Sequence, residues 1–206
     1  NVCDCPVVSE EALPSYAERA NWPQYWLVDP MDGTREFLHK TDEFVINIAL
    51  MWQRQPVFGF MYQPTTGLAW WGGKAFGAYS GTPENAKRLP ASELGRDLIA
   101  LGSRRSRWKG AWRERLTAQG YAVSTQSVGS ALKFARLAEG QGDLYPRLGP
   151  TCEWDTAAPQ AILEVTGGAI RQWNGEPLVY GKRNMLNPHF VAVRDAGLLP
   201  DLLDPE

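Results

Sequence analysis

Between Trp26 and Thr34 three apolar residues run into two carboxylates, a glycine and a hydroxyl, within Trp26-Leu-Val-Asp-Pro-Met-Asp-Gly-Thr-Arg-Glu-Phe37. Trp26, Leu27 and Val28 have the character of the end of a buried strand. Pro30 has no backbone N–H, so the ladder is expected to stop near Asp29 and leave that acid at a strand tip. Asp29 and Asp32 stand three apart across a Pro-turn, and two bare carboxylates so close repel unless they share a cation. Gly33 lets backbone approach a ligand, and a helix starting at Thr34 would aim its first N–H groups at an anion. Carboxylates beside an anion cradle point to a metal-bridged phosphate. The alternative for this stretch is an Asx-turn with an N-capping aspartate.

Other classes fall away on composition. A charged fraction of 21% and a net charge of −2 leave no basic surplus for a polymeric nucleic acid. Cys3, Cys5 and Cys152 are odd in number and lack Cys-x-x-Cys spacing, which speaks against a disulfide framework and a zinc site and fits a reducing cytoplasm. No apolar run reaches the ~18 residues of a membrane span. The 206 residues can bury a proper core, as one domain or two closely packed halves.

Along the chain, Asn1 to Val8 reads as a strand with nothing before it to pair with, entering Ser9-Glu10-Glu11. One helical turn is expected around Ser15 to Ala20. Phe44 to Met51 and Val57 to Tyr62, split by Gln53-Arg54-Gln55-Pro56, read as a hairpin, and Leu68 to Trp71 as the next strand of an antiparallel meander. Trp52, Trp70 and Trp71 are expected to pack. Gly81 to Pro90 reads as a surface joint, dividing the chain into 1–85, an α+β half, and 91–206, an α/β half. In the second half strands are expected at Asp97 to Leu101, Tyr121 to Thr125, Leu144-Tyr145 and Ala169 to Trp173. Helices are expected at Trp108 to Gln119, Ser130 to Glu139 and Thr156 to Val165. Asp155, just before the last helix, is a normal N-cap if taken alone, and Glu10 alone is a solvated acid.

Taken together, Asp29-Pro-Met-Asp-Gly-Thr34 and Trp154-Asp-Thr-Ala-Ala-Pro-Gln-Ala-Ile-Leu-Glu-Val-Thr-Gly-Gly168 resemble the two signatures of the magnesium-dependent, lithium-sensitive phosphatases of the inositol monophosphatase superfamily. The finer likeness, over residue 7 to Phe190, is to CysQ-type 3′(2′),5′-bisphosphate nucleotidases. It is carried by Val8-Ser-Glu-Glu11, Trp26 to Leu38, Phe44 to Leu50, Gly129-Ser-Ala-Leu-Lys-Phe134 and Ala138 to Arg147. The resemblance implies a layered α-β-α-β-α sandwich and hydrolysis of the 3′-phosphate of adenosine 3′,5′-bisphosphate. Glu10, Asp29 and the Met31 carbonyl would hold one Mg²⁺, and Asp29, Asp32 and Asp155 a second, with a weaker third ion leaning on Glu10. Gly33 and Thr34 would meet the scissile phosphate, the Thr34 hydroxyl would orient the attacking water, and Asp29 and Glu10 would join it in catalysis. Oxygen-rich ligands suit magnesium, and paired ions stabilise attacking and leaving oxygens.

For the rest of the substrate the candidates are Ser103, Arg104, Gly129, Ser130, Lys133, Tyr145 and Arg147, beside Asp32, Gly33, Thr34 and Asp155. Lys133 reads equally as a solvated lysine and Tyr145 as core. Where the family has Ser-Arg-Ser-His this chain has Ser103-Arg104-Arg105-Ser106. Family members carry further N-terminal residues, two helices and a strand, with an aspartate that partners the threonine. The expectation is therefore a fold lacking its first helices, with slow turnover, uncovered apolar surface and a surviving substrate preference. Rival readings are an inositol or sugar monophosphatase and a truncated, inactive metal- and anion-binding remnant. The remaining expectations are a monomer or weak dimer, cytoplasmic or peripheral at the inner face of the cell membrane, taking a small bisphosphorylated nucleoside.

Overall fold

The computed structural model describes residues 5–82, 84–89, 94–104 and 110–203. Asp4, Arg105 and Ser106 lie outside them. A first sheet holds β1 (Val7–Ser9), β2 (Gln24–Asp32), β3 (Val45–Trp52), β4 (Gln55–Gln63), β5 (Leu68–Gly73), β6 (Gly77–Thr82) and β7 (Asn85–Arg88), side by side in chain order. β1 lies parallel to β2, so its partner follows it in sequence, and every later pair is antiparallel. The hairpin between β3 and β4 turns on Gln53 and Arg54 alone, both at positive φ, as a tight two-residue turn requires.

Two expectations for this half are corrected. β2 continues past Pro30 to Asp32, because its register with β3 is irregular between Asp29 and Asp32 and no ladder bond is needed from the proline. The stretch read as a surface joint carries strand instead: Gly81 and Thr82 pair with Ala86 and Asn85, and β7 closes the sheet. Its polarity is that of an edge strand whose four residues are all exposed. Of the three tryptophans, Trp70 is fully buried and Trp71 stacks on Tyr79, while Trp52 is largely exposed at the hairpin end. Cys5 is disulfide-bonded, although the odd number and the spacing of the cysteines spoke against a disulfide framework, and Cys152 is a free thiol.

The second sheet holds β8 (Asp97–Gly102), β9 (Ala122–Ser127), β10 (Leu144–Arg147), β11 (Ala169–Gln172) and β12 (Phe190–Val193), in the order β11-β12-β10-β8-β9. β8 is parallel to β9 and β10, whereas β12 is antiparallel to β10 and β11. The sequence pattern does not announce β12: Phe-Val-Ala-Val is buried at all four positions and shows no alternation.

The helices are α1 (Tyr16–Arg19), α2 (Thr34–Leu38), α3 (Trp112–Ala118), α4 (Leu132–Ala138), α5 (Glu153–Glu164) and α6 (Leu199–Leu202). α5 starts three residues earlier than expected, with Cys152 at its N-cap, so Asp155 lies inside the first turn rather than before the helix. α5 packs on β2 to β6 of the first sheet and on β11 of the second, and α4 packs on α5 and β10. Contact is closest at Gly59, where a Cβ would sit 2.1 Å from the Ala158 carbonyl oxygen. α3 and α6 pack together beyond the second sheet, Leu116 and Leu202 joining Leu98, Leu144, Val191 and Val193 in one apolar cluster. Among the described residues the layers therefore run β-α-β-α, the expected α-β-α-β-α sandwich without its first helices. No helix of the described residues is long and apolar enough to cross a membrane.

Candidate metal centre and substrate cavity

The alternation of β2 turns Tyr25, Leu27 and Asp29 onto the face that α5 covers, leaving Asp29 1% exposed. The strand then runs through Asp32 into α2, whose N-cap, Gly33, sits at φ +98. A Cβ there would lie 2.9 Å from the Ser130 Cβ and 3.2 Å from the Glu43 carbonyl oxygen, so only glycine lets the two chain segments meet. Asp32 accepts a hydrogen bond from the Ala131 N–H at the start of α4. Asp155 accepts one from the Cys152 N–H at 2.9 Å, capping α5 from within.

One oxygen from each of Asp29, Asp32 and Asp155 falls within a 4.8 Å cluster. Burial, and then the Asp32 charge, push Asp29 up to about 8 and Asp155 up to about 7. Burial also raises Asp32, against the opposing pull of Lys133 and the Ala131 N–H. Carboxylates that resist ionising together, with only oxygen donors between them, form a set that a hard divalent cation fits. Glu10 is exposed at the rim of the same recess, which Asp29, Met31, Thr34 and Asp155 also line. It stands outside the tight trio, yet its charge raises both Asp29 and Asp155. The Met31 N–H donates to Asp29 at 2.9 Å. The Thr34 hydroxyl donates to the Met31 carbonyl at 3.4 Å, a long bond that yields easily to another partner.

Asp32, Gly33, Thr151 and Asp155 also border an adjoining cavity of about 310 Å³. Ser103, Arg104, Ser130, Lys133, Tyr145 and Arg147 line it, so most of the expected substrate contacts are gathered in one place. Thr34 faces the acidic recess instead. Gly129 lines neither: its N–H donates to Glu43 Oε2 at 3.1 Å, and Arg104 pairs with the same oxygen at 2.9 Å. Lys133 is not a solvated lysine. It is 3% exposed, donates to the Val128 and Ser130 carbonyls and lies 5.0 Å over the Tyr145 ring. Burial pulls its ammonium down to about 8, against the stabilising Asp32 charge. Tyr145 is both core and cavity wall, in edge contact with Phe134 and Phe190. Arg147 donates to the Pro150 carbonyl at 2.8 Å.

Sequence reasoning passed over Arg35, Glu36, His39 and Thr151, which line the cavity, and Glu43, which holds Arg104. Arg35 and Glu36 stand inside the first signature segment, which is a usable signal. Glu43 has none, because its partners come from the second half of the chain.

The chain is 41% identical to the 3′(2′),5′-bisphosphate nucleotidase CysQ of Salmonella typhimurium over 190 residues, 91% of this chain and 75% of that protein. It is 37% identical to the protein of the same name from Haemophilus influenzae over 196 residues, 92% of this chain and 72% of that one. The crystal structure of CysQ from Bacteroides thetaiotaomicron superposes with a TM-score of 0.82 at 34% identity, covering 93% of this chain and 77% of that one. The family described as inositol monophosphatase is matched over residues 2–202, and the chain belongs to it.

Proposed function

We propose that the chain is a Mg²⁺-dependent phosphomonoesterase that converts adenosine 3′,5′-bisphosphate to AMP and phosphate in the cytoplasm, in nucleotide recycling linked to sulfur assimilation. The observation that carries this reading is the junction of two recesses. One is acidic, around Asp29, Asp32 and Asp155, and the other is cationic, around Arg104, Lys133 and Arg147. A substrate with a phosphate at each end matches that polarity. The names of the Salmonella and Haemophilus relatives support the same substrate class.

Asp29, Asp32 and Asp155 would hold the principal Mg²⁺ ions, with Glu10 and the Met31 carbonyl completing the set of two or three. Bound there, the ions stabilise charge on the attacking and leaving oxygens of an in-line displacement. The chain's own part is to place the substrate. Gly33 and Thr34 receive the 3′-phosphate at the start of α2, and the Thr34 hydroxyl turns from the Met31 carbonyl to orient the water. Water attacks phosphorus and passes one proton toward Glu10 at the open rim, the P–O3′ bond breaks, and the 3′-oxygen takes a proton from a solvent water in the open recess and leaves as a hydroxyl. Arg104, Lys133 and Arg147 hold the 5′-phosphate and Tyr145 forms the apolar wall. In this reading residues 1–85, completed by the edge strand β7, and residues 91–206 act as two halves that meet at the cleft.

The assay compares adenosine 3′,5′-bisphosphate with inositol 1-phosphate, in Mg²⁺ with and without Li⁺. Faster turnover of the nucleotide and inhibition by Li⁺ are expected. Faster turnover of inositol 1-phosphate would replace this reading by that of an inositol phosphatase. No turnover of either, with Mg²⁺ bound, would leave a metal-binding remnant.

A further inference from the structure

Asn47 occupies the middle of β3 and is wholly buried, and neither its side-chain oxygen nor its nitrogen has a hydrogen-bond partner. Its neighbours on the same face of the strand, Val45, Ala49 and Met51, are apolar and buried. An unpaired amide in such a row is costly, and leucine would fill a similar volume without that cost.

The ladder register shows what the amide faces. Asn47 lies directly opposite Asp29 on one side and Met61 on the other. Opposed residues of an antiparallel pair share a face with Cβ atoms about 4.5–5.5 Å apart, within reach of one rotamer change or one bridging water. Met61 offers only a thioether. The Asp29 carboxylate takes one backbone donor, the Met31 N–H, and an ionised carboxylate has room for more.

We propose that Asn47 is a positioning residue for Asp29: when the acidic cluster holds a divalent cation, its amide N–H donates to the Asp29 carboxylate, directly or through one water, and fixes which oxygen faces the ion. The inference rests on reading Asp29, Asp32 and Asp155 as metal ligands. The residue type follows from the charges. A lysine at 47 would compete with the cation, a further carboxylate would add repulsion, and an aliphatic side chain would leave Asp29 free to rotate. A neutral donor steadies the ligand without neutralising it, as ligating carboxylates generally require.

The test measures Mg²⁺ and Mn²⁺ affinity by titration calorimetry, and melting in EDTA, for the wild type, Asn47→Leu and Asn47→Ala. Asn47→Leu should weaken ion binding by roughly 10–100-fold, the usual effect of losing an outer-shell partner. It should also melt at or above the wild-type temperature in EDTA, because an unpaired buried amide is gone. Opposite signs in one variant are what a purely structural residue cannot produce. Should Asn47→Leu not fold, Asn47→Ala carries the affinity reading, with a loss of the same size expected. Ion affinity within twofold of wild type in a folded variant would overturn the role, as would a fall in both melting temperature and affinity for Asn47→Leu. A wild-type chain that bound neither ion would remove the metal reading and this inference together.

Discussion

The first sheet has two unlike faces. On one, Leu27, Asp29, Asn47, Ala49, Met61 and Trp70 lie buried beneath α5. On the other, Trp26, Ile48, Leu50, Phe58, Phe60, Tyr62 and Trp71 are only half-buried, arranged in cross-strand rows such as Ile48–Phe60–Trp71–Tyr79. The half-exposed face carries the greater aromatic mass, with Phe60 over Tyr62 at 6.4 Å and Trp71 over Tyr79 at 6.0 Å. The covered face carries polar exceptions, among them Asp29 and Asn47, which a hydrophobic layer would be expected to reject. The candidate metal centre lies where burial is deepest. A carboxylate withdrawn from water binds a cation more strongly than an exposed one, and that gain offsets part of the cost of burying it.

The contrast is tested most severely at Asp29. Asp29→Asn should reduce Mg²⁺ affinity by more than the ~10–100-fold of an outer-shell change and bring hydrolysis to background. Phe60→Ala, on the other face, should leave Mg²⁺ affinity where it was. Titration calorimetry on the two variants decides it, and equal affinity of Asp29→Asn and wild type would mean the acidic cluster is not the metal site.

A smaller effect separates neighbours within one strand. Met61 is fully buried, so Met61→Ala should cost about 2–5 kcal/mol, whereas Phe60→Ala, half-exposed, should cost about 1–2 kcal/mol despite its larger side chain. Urea denaturation of both variants measures the difference. Similar losses would show the aromatic face to be as tightly packed as the covered one.

Much of this arrangement is legible in the chain itself. The two carboxylates, glycine and threonine of Asp29 to Thr34 point to a site because two bare carboxylates so close repel unless a cation is shared, which an Asx-turn alone would not require. The hairpin strands are legible because alternation over Val45–Trp52 reports a sheet with one covered face. What escapes depends on tertiary context. Pro30 reads as a strand terminator until the irregular register shows that its missing N–H is not called upon. β7 reads as a joint because an edge strand and a linker are polar alike. Asp155 reads as an N-cap because cysteine at 152 is a poor capping signal, and the helix starts where that signal is weakest. Gly129 reads as a substrate contact, and only the fold shows that its N–H donates to Glu43. Asn47 stands in a run of β-formers, and only the register places it opposite Asp29.

The smallest effect concerns pH in the absence of metal. Burial and the neighbouring Asp32 charge raise Asp29 to about 8 and Asp155 to about 7, against ~3.9 for an aspartate in an unfolded chain. A carboxyl whose folded value is raised holds its proton more tightly in the folded state. Its contribution to stability is therefore fully present below about pH 4 and is lost as pH climbs through 7 and 8. In EDTA the melting temperature should decline steadily between pH 5 and pH 8. Mg²⁺ should reverse the trend, because the cation binds the ionised carboxylates and its affinity rises with pH. The aromatic face carries no comparable group, so Phe60→Ala should keep the wild-type slope at a lower melting temperature. Asp29→Asn, with nothing to ionise at that position, should show a shallower slope and serve as the control for other groups titrating in the window. Melts at pH 5, 6, 7 and 8, with EDTA and with Mg²⁺, distinguish the cases. A flat profile in EDTA, or one equally steep in Asp29→Asn, would mean that the covered face holds its carboxylates without the strain that burial implies.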